Sequence, residues 1–71
     1  MNWIPLKCSL LSAGAYEASI KTMYLKFQNG EEYQYPKVPE SIFWELVNAL
    51  LQSEYYDHFI KDTYRCTKME S

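Results

Sequence analysis

The stretch from Tyr24 to Pro39 decides most of what this chain can fold into. Tyr24, Leu25, Lys26 and Phe27 alternate, Gln28-Asn29-Gly30 turn, and Glu31 to Tyr35 alternate again before Pro36. Period-two alternation around an Asn-Gly turn predicts a β-hairpin, and proline stops its second strand. The register follows from the apolar residues. A two-residue turn would put Tyr33 and Tyr35 on the face opposite Leu25 and Phe27. A three-residue loop, with Gly30 left-handed in a bulge, sets Leu25 against Tyr33 and Met23 against Tyr35. All the apolar bulk then shares one face, so the three-residue loop is expected.

That register leaves Ile20, Thr22, Tyr24 and Lys26 on the second face, with Lys26 and Glu32 as a direct cross-strand ion pair. Residues 10–16 read as a preceding strand and residues 20–27 as the middle one, joined by a turn at Glu17-Ala18-Ser19. Beyond the hairpin, Val38-Pro39 opens a helix. Phe43, Leu46, Val47 and Leu50 fall at i, i+3, i+4 and i+7, a stripe wide enough to cover a core. Ser41, Glu45, Asn48 and Gln52 take the opposite side. Ser53 reads as the N-cap of a second helix carrying Tyr56, Phe59, Ile60 and Tyr64. The tail from Thr67 onward shows no pattern and is expected to fray.

The expected architecture is α+β: a three-stranded antiparallel meander followed by two helices on one sheet face (βββαα), as one domain over residues 1–71. Its core is expected to hold Met23, Leu25, Phe27, Tyr33, Tyr35, Phe43, Leu46, Val47, Leu50, Phe59 and Ile60.

Seventy-one residues bury only about 60% of the surface an unfolded chain exposes, so extra stability has to come from somewhere. Aromatic residues make up 17% of the chain, including seven tyrosines and two tryptophans. Large amphipathic side chains at that density suit burial against another surface, and a homo-oligomer is the simplest source of one. Trp3, Ile20, Tyr24, Lys26 and Trp44 are the candidate partner-binding residues. Tyr24 and Ile20 lie on the sheet face without helices, unless the segment from Trp3 to Leu6 covers it. Trp44 flanks the first helix's core stripe, where it either meets the second helix or stands exposed as an anchor.

The formal charge is −2, and the seven lysines and arginines form no run. Nucleic-acid modules ordinarily present a basic face, so the acidic balance counts against that class. Cys8 and Cys66 are the two cysteines; whether they bridge stays open. Two cysteines and His58 at unrelated spacings cannot close a zinc site, so no metal and no cofactor are expected. His58 beside Asp57 and Asp62 has no nucleophile placed near it, and the chain is expected not to be an enzyme. Lys7, Ser9 and Ser12 interrupt any signal-peptide core ahead of Ala13-Gly14-Ala15, and no stretch approaches membrane-spanning length. A cytoplasmic protein is expected.

From about Leu10 to Tyr64 the chain resembles the KTSC domain, a small family found also at the C-terminus of some lysyl-tRNA synthetases. Tyr33-Gln34-Tyr35 matches its central Tyr-x-Tyr, and Phe27 to Gly30 matches the hairpin before it. Val38-Pro39 matches the helix start, and Tyr55-Tyr56, Ile60 and Tyr64 the late aromatic segment. The resemblance implies a small bacterial or phage protein and suggests RNA binding. Two departures weigh against RNA. The Ser-x-Gly many members carry is absent at Leu51-Gln52-Ser53, and Lys61 replaces an arginine that would grip phosphate in bidentate fashion. The function expected is a non-enzymatic protein that binds a protein partner, as an inhibitor would, and self-associates. The alternative is an RNA or nucleotide binding module.

Overall fold

The computed structural model describes residues 2–69. One antiparallel sheet runs in the order β1 (Ile4–Pro5), β2 (Leu11–Glu17), β3 (Thr22–Phe27), β4 (Glu32–Tyr35), β5 (Thr67–Met69), each strand beside its neighbour in sequence. Two helical segments interrupt the last step: α1 (Glu40–Asn48), and α2 (Gln52–Tyr55), which continues as a π-helical turn over Tyr56–Ile60. The fold is α+β with both helices over one sheet face. The three-stranded meander expected from the sequence is the centre of a five-stranded sheet.

The β3–β4 hairpin has the register that places apolar bulk on one side. Met23 pairs with Tyr35 and Leu25 with Tyr33. The loop closes with the Phe27 N–H donating to the Glu31 carbonyl at 2.8 Å and the Gly30 N–H donating to the Phe27 carbonyl at 3.0 Å. Gly30 has φ +91°, a conformation open to glycine at little cost. On the reverse face Lys26 Nζ lies 3.7 Å from Glu32 Oε2.

The two edge strands were not legible as strands. The segment from Trp3 to Leu6 runs along the sheet edge through β1 instead of folding across the reverse face as a whole, and of its side chains Trp3 reaches that face. Ile4 pairs with Gly14 and, with Leu6, packs on the core side. In β5, Thr67, Lys68 and Met69 pair with Gln34, Tyr33 and Glu32, and Lys68 Nζ sits 2.7 Å from Glu31 Oε2. That polar triplet gains its conformation from a distant partner strand, so the expected fraying does not apply to it. Glu70 and Ser71 lie outside the described residues.

Leu6, Leu11, Met23, Leu25, Tyr35, Val38, Phe43, Leu46, Tyr56 and Ile60 form the buried core. Phe43 stacks on Tyr16, ring centroids 5.7 Å apart, and lies directly over Gly14. A Cβ at Gly14 would meet Phe43 Cε1 at 3.2 Å and Leu25 Cδ2 at 3.4 Å, so this glycine sets how closely α1 approaches the sheet. Phe27, Tyr33 and Val47 are half-buried against the same cluster.

Two expected core residues are exposed. Leu50 is 100% exposed because α1 stops at Asn48. Asn48 Nδ2 donates to the Trp44 carbonyl at 2.8 Å, and Ala49 leaves in an extended conformation. A side chain that bonds its own helix's backbone is a common terminator. Phe59 is 55% exposed because its turn is π-helical: the Lys61 N–H donates to the Tyr56 carbonyl, five residues back, at 2.9 Å. The wider turn brings Ile60 nearly into line with Tyr56 and rotates Phe59 outward.

Gln52, expected on a solvated side, is buried. Its Oε1 accepts from the Lys7 N–H at 2.6 Å and its Nε2 donates to the Val47 carbonyl at 3.0 Å, tying the β1–β2 connection to the end of α1. Ser53 is not an N-cap; Leu51 holds that position and Ser53 lies inside α2. Ile20 is not in the sheet. It belongs to a 3-10 turn over Ala18–Ile20 that ends at Lys21 in the left-handed conformation (φ 49°). Lys37, after Pro36, is left-handed as well (φ 60°). Such a conformation costs a side-chain-bearing residue roughly 1–2 kcal/mol.

Candidate interaction surfaces

The most apolar exposed surface lies in the helical half. Leu51, 64% exposed, caps α2, and its carbonyl accepts the Tyr55 N–H at 3.0 Å. One turn further, the Tyr55 ring lies 4.8 Å from that of Phe59, centroid to centroid. Leu51, Tyr55 and Phe59 therefore form a stripe along one side of the segment, preceded by the bare side chain of Leu50. Tyr55 is fixed from the neighbouring helix, its hydroxyl donating to Glu45 Oε1 at 2.9 Å. Burial and then that bond to Glu45 push the phenol up to about 12. Trp44 is 43% exposed on α1, its indole N–H donating to Glu40 Oε2 at 3.0 Å. The rim is acidic. From residue 40 to residue 62 the chain carries Glu40, Glu45, Glu54, Asp57 and Asp62 against Lys61 alone, and Lys61 is committed to Asp57 at 3.7 Å.

The paired tyrosines of the hairpin serve a different end. Tyr35 is 1% exposed, and its hydroxyl shares a 3.0 Å hydrogen bond with that of Tyr56. Burial, then the bond to Tyr56, drives the Tyr35 phenol far above its ordinary value. It stays protonated at neutral pH and joins sheet to helix. Phe27 meets Tyr33 and Tyr56 edge-on, at 5.4 and 5.7 Å between centroids. The Tyr33 hydroxyl donates to Glu31 Oε1 at 3.3 Å, and Glu31 is held below the usual carboxylate range first by Lys68 and then by Asn29. These rings flank a shallow hollow of about 380 Å³ that reaches Lys61, Asp62 and Cys66. Cys66 and Cys8 are both free thiols.

The reverse sheet face is closed more tightly than expected. Tyr24, between Ala15 and Gln34 in the register, is only 8% exposed, and Ala15 and Thr22 beside it are buried too. Trp3 reaches this face ahead of β1 and takes Lys26 Nζ over its ring at 4.7 Å from the centroid. Lys26 is thus shared between Trp3 and Glu32.

Of the five candidate partner-binding residues, Trp44 and Ile20 are exposed, on different elements. Trp3 and Lys26 meet on the reverse face, and Tyr24 is buried beside them. Sequence periodicity pointed Leu50 and Phe59 inward and so missed the stripe that Phe59 completes and Leu50 precedes. The one signal that could have exposed it is Asn48, a poor helix-interior residue placed just before Leu50. Among the described residues no three His, Cys, Asp or Glu side chains gather as metal ligands, and no helix is long and apolar enough to cross a membrane.

Comparison with known proteins places this arrangement among relatives. The sequence profile of the KTSC domain matches residues 7–64. The lysine–tRNA ligase of a Nostoc species is 37% identical over 57 residues, and that of Trichormus variabilis 33%. Each alignment covers 80% of this chain and 10% of the ligase, so the chain spans about a tenth of the length of these relatives. The crystal structure of a KTSC domain protein from Yersinia pestis superposes with a TM-score of 0.89, covering 97% of both chains at 24% identity. That likeness establishes the fold.

Proposed function

Since the chain belongs to the KTSC domain family, we propose that it uses this scaffold as a non-enzymatic protein-binding module, with the Leu51–Tyr55–Phe59 stripe as its contact surface. One observation carries the reading: in so small a chain, three large apolar side chains of the helical half, Leu50, Leu51 and Phe59, are each more than half exposed. Exposed apolar groups clustered inside a charged rim mark interaction sites. The carboxylate rim selects the occupant, a protein surface with an apolar centre and basic edges. Two copies meeting stripe to stripe would set their acidic rims against each other. Self-association is therefore confined to high salt, where the rims are screened. Cytoplasmic conditions suit the two free thiols.

A second reading, RNA contact, draws on the likeness to a segment of lysine–tRNA ligases. Five carboxylates against one lysine in the helical segment oppose it. The test is an NMR titration with two probes, an amphipathic Leu/Lys helical peptide and an oligouridylate. The proposal expects the peptide to shift the amides of Leu51, Tyr55 and Phe59, and Leu51→Ser/Phe59→Ser to weaken that binding about tenfold or more. Oligouridylate binding that outcompetes the peptide and collapses with added salt would overturn it in favour of RNA.

A further inference from the structure

A second concavity, of about 740 Å³, opens on another side of the molecule, between the 3-10 turn and the junction of β4 with α1. Tyr16, Ile20, Lys21, Lys37, Pro39 and Glu40 line it. We propose that this cavity binds an acidic peptide segment, with Lys21 and Lys37 receiving its carboxylates and Ile20 an adjoining apolar side chain. This site goes beyond the contact surface proposed above and shares no residue with that stripe.

Charge is the first argument. The other lysines near carboxylates are committed: Lys26 to Glu32, Lys61 to Asp57 and Lys68 to Glu31. Lys21 and Lys37, among the described residues, pair with no carboxylate, yet both face one hollow on a chain of net charge −2. Backbone is the second. Both lysines hold left-handed conformations, with φ of 49° and 60°, at positions where glycine or asparagine fits without strain. Strained side-chain-bearing residues that converge on one cavity point to use rather than to folding. The two turns are also fastened together, since the Val38 N–H donates to the Lys21 carbonyl at 2.9 Å, fixing the spacing of the two cations.

The walls decide the ligand's class. Ile20 is 59% exposed, and with Pro39 and Ala18 it offers aliphatic contact rather than a stacking platform. The one aromatic ring, Tyr16, is stacked on Phe43, and its hydroxyl is spent on the Val38 carbonyl at 2.6 Å. Bases therefore find no free ring, and Glu40 in the wall repels a run of phosphates. A peptide carrying one or two carboxylates beside a leucine-like side chain needs no free ring and meets far less of that repulsion than a phosphate run, and Glu40 can accept one of its N–H groups.

The test uses the intact chain, NMR, and a blocked peptide alternating Asp and Leu as the probe. The peptide is expected to shift the amides of Ile20, Lys21 and Val38 while leaving Leu51 and Phe59 still, so this result and the stripe's can fail separately. Lys21→Gly/Lys37→Gly should weaken binding about tenfold or more while the thermal midpoint holds or rises, because glycine relieves the left-handed strain. Lys21→Glu should weaken it without that backbone change, and Glu40→Gln should tighten it. Wild-type affinity in the glycine double variant, no shift at Ile20 and Lys21, or a stronger response there to oligouridylate than to the peptide would each overturn the proposal.

Discussion

The β3–β4 hairpin and the helical segment that follows it are both rich in large apolar residues, yet they divide structure and surface in opposite ways. In the hairpin every large apolar side chain goes where alternation sends it, and Tyr35 ends in a bond to Tyr56. In the helices the apolar period is interrupted twice, by the stop at Asn48 and by the π turn at Tyr56–Ile60. Both interruptions turn large side chains out to solvent. A regular element hides its apolar face, and an irregular one leaves part of it open to solvent.

The largest effect expected from this contrast is a stability difference. Phe43→Ala or Leu25→Ala empties the core and should cost about 2–5 kcal/mol, whereas Phe59→Ala should change stability by no more than about 0.5 kcal/mol. Denaturant midpoints measure both, and a large loss at Phe59 would erase the distinction between the two regions. Next comes Gln52, whose two buried bonds hold the α1 terminus to the β1–β2 connection. Gln52→Ala leaves those backbone groups unpaired and should cost about 1–3 kcal/mol.

Smaller again, Gly30→Ala forces a Cβ into φ +91°, which should cost about 1 kcal/mol and slow hairpin closure, although nothing lies within 4 Å of the new methyl. The smallest effect is electrostatic. Glu31 is lowered from its ordinary value near 4.5 mainly by Lys68, so the pair's contribution is complete above that value and disappears as pH falls through the lowered one. Lys68 is raised by the same contact, so it is lost again only above the ordinary lysine range. NMR shifts of Lys68 and Met69 should report loosening of β5 in acid ahead of global unfolding, with the β3–β4 amides unmoved.

How much was legible in the sequence follows the same line. The register of Met23, Leu25, Tyr33 and Tyr35 and the Lys26–Glu32 pair were readable because a two-residue period and one turn fix them locally. The strand at Thr67–Met69 was not, because a short polar triplet becomes a strand only when a distant edge accepts it. Phe59 misled for a related reason: the α-helical period assigns it to the core, and only the π turn, set by the seating of both Tyr56 and Ile60 inside, rotates it out. Ile20 and Lys21 were read as strand because the apolar-polar alternation runs on past the turn. Left-handed Lys21 leaves no mark in composition.

The central claim is that the tyrosines of the hairpin hold the fold while Leu51 and Phe59 make the contact. The most direct measurement compares Tyr35→Phe with Leu51→Ser/Phe59→Ser, each by denaturant midpoint and by titration with the Leu/Lys peptide. The account predicts that Tyr35→Phe lowers the midpoint and leaves peptide affinity intact, while the double variant keeps the midpoint and loses the affinity. Peptide binding lost in Tyr35→Phe at unchanged midpoint, or kept in the double variant, would contradict it.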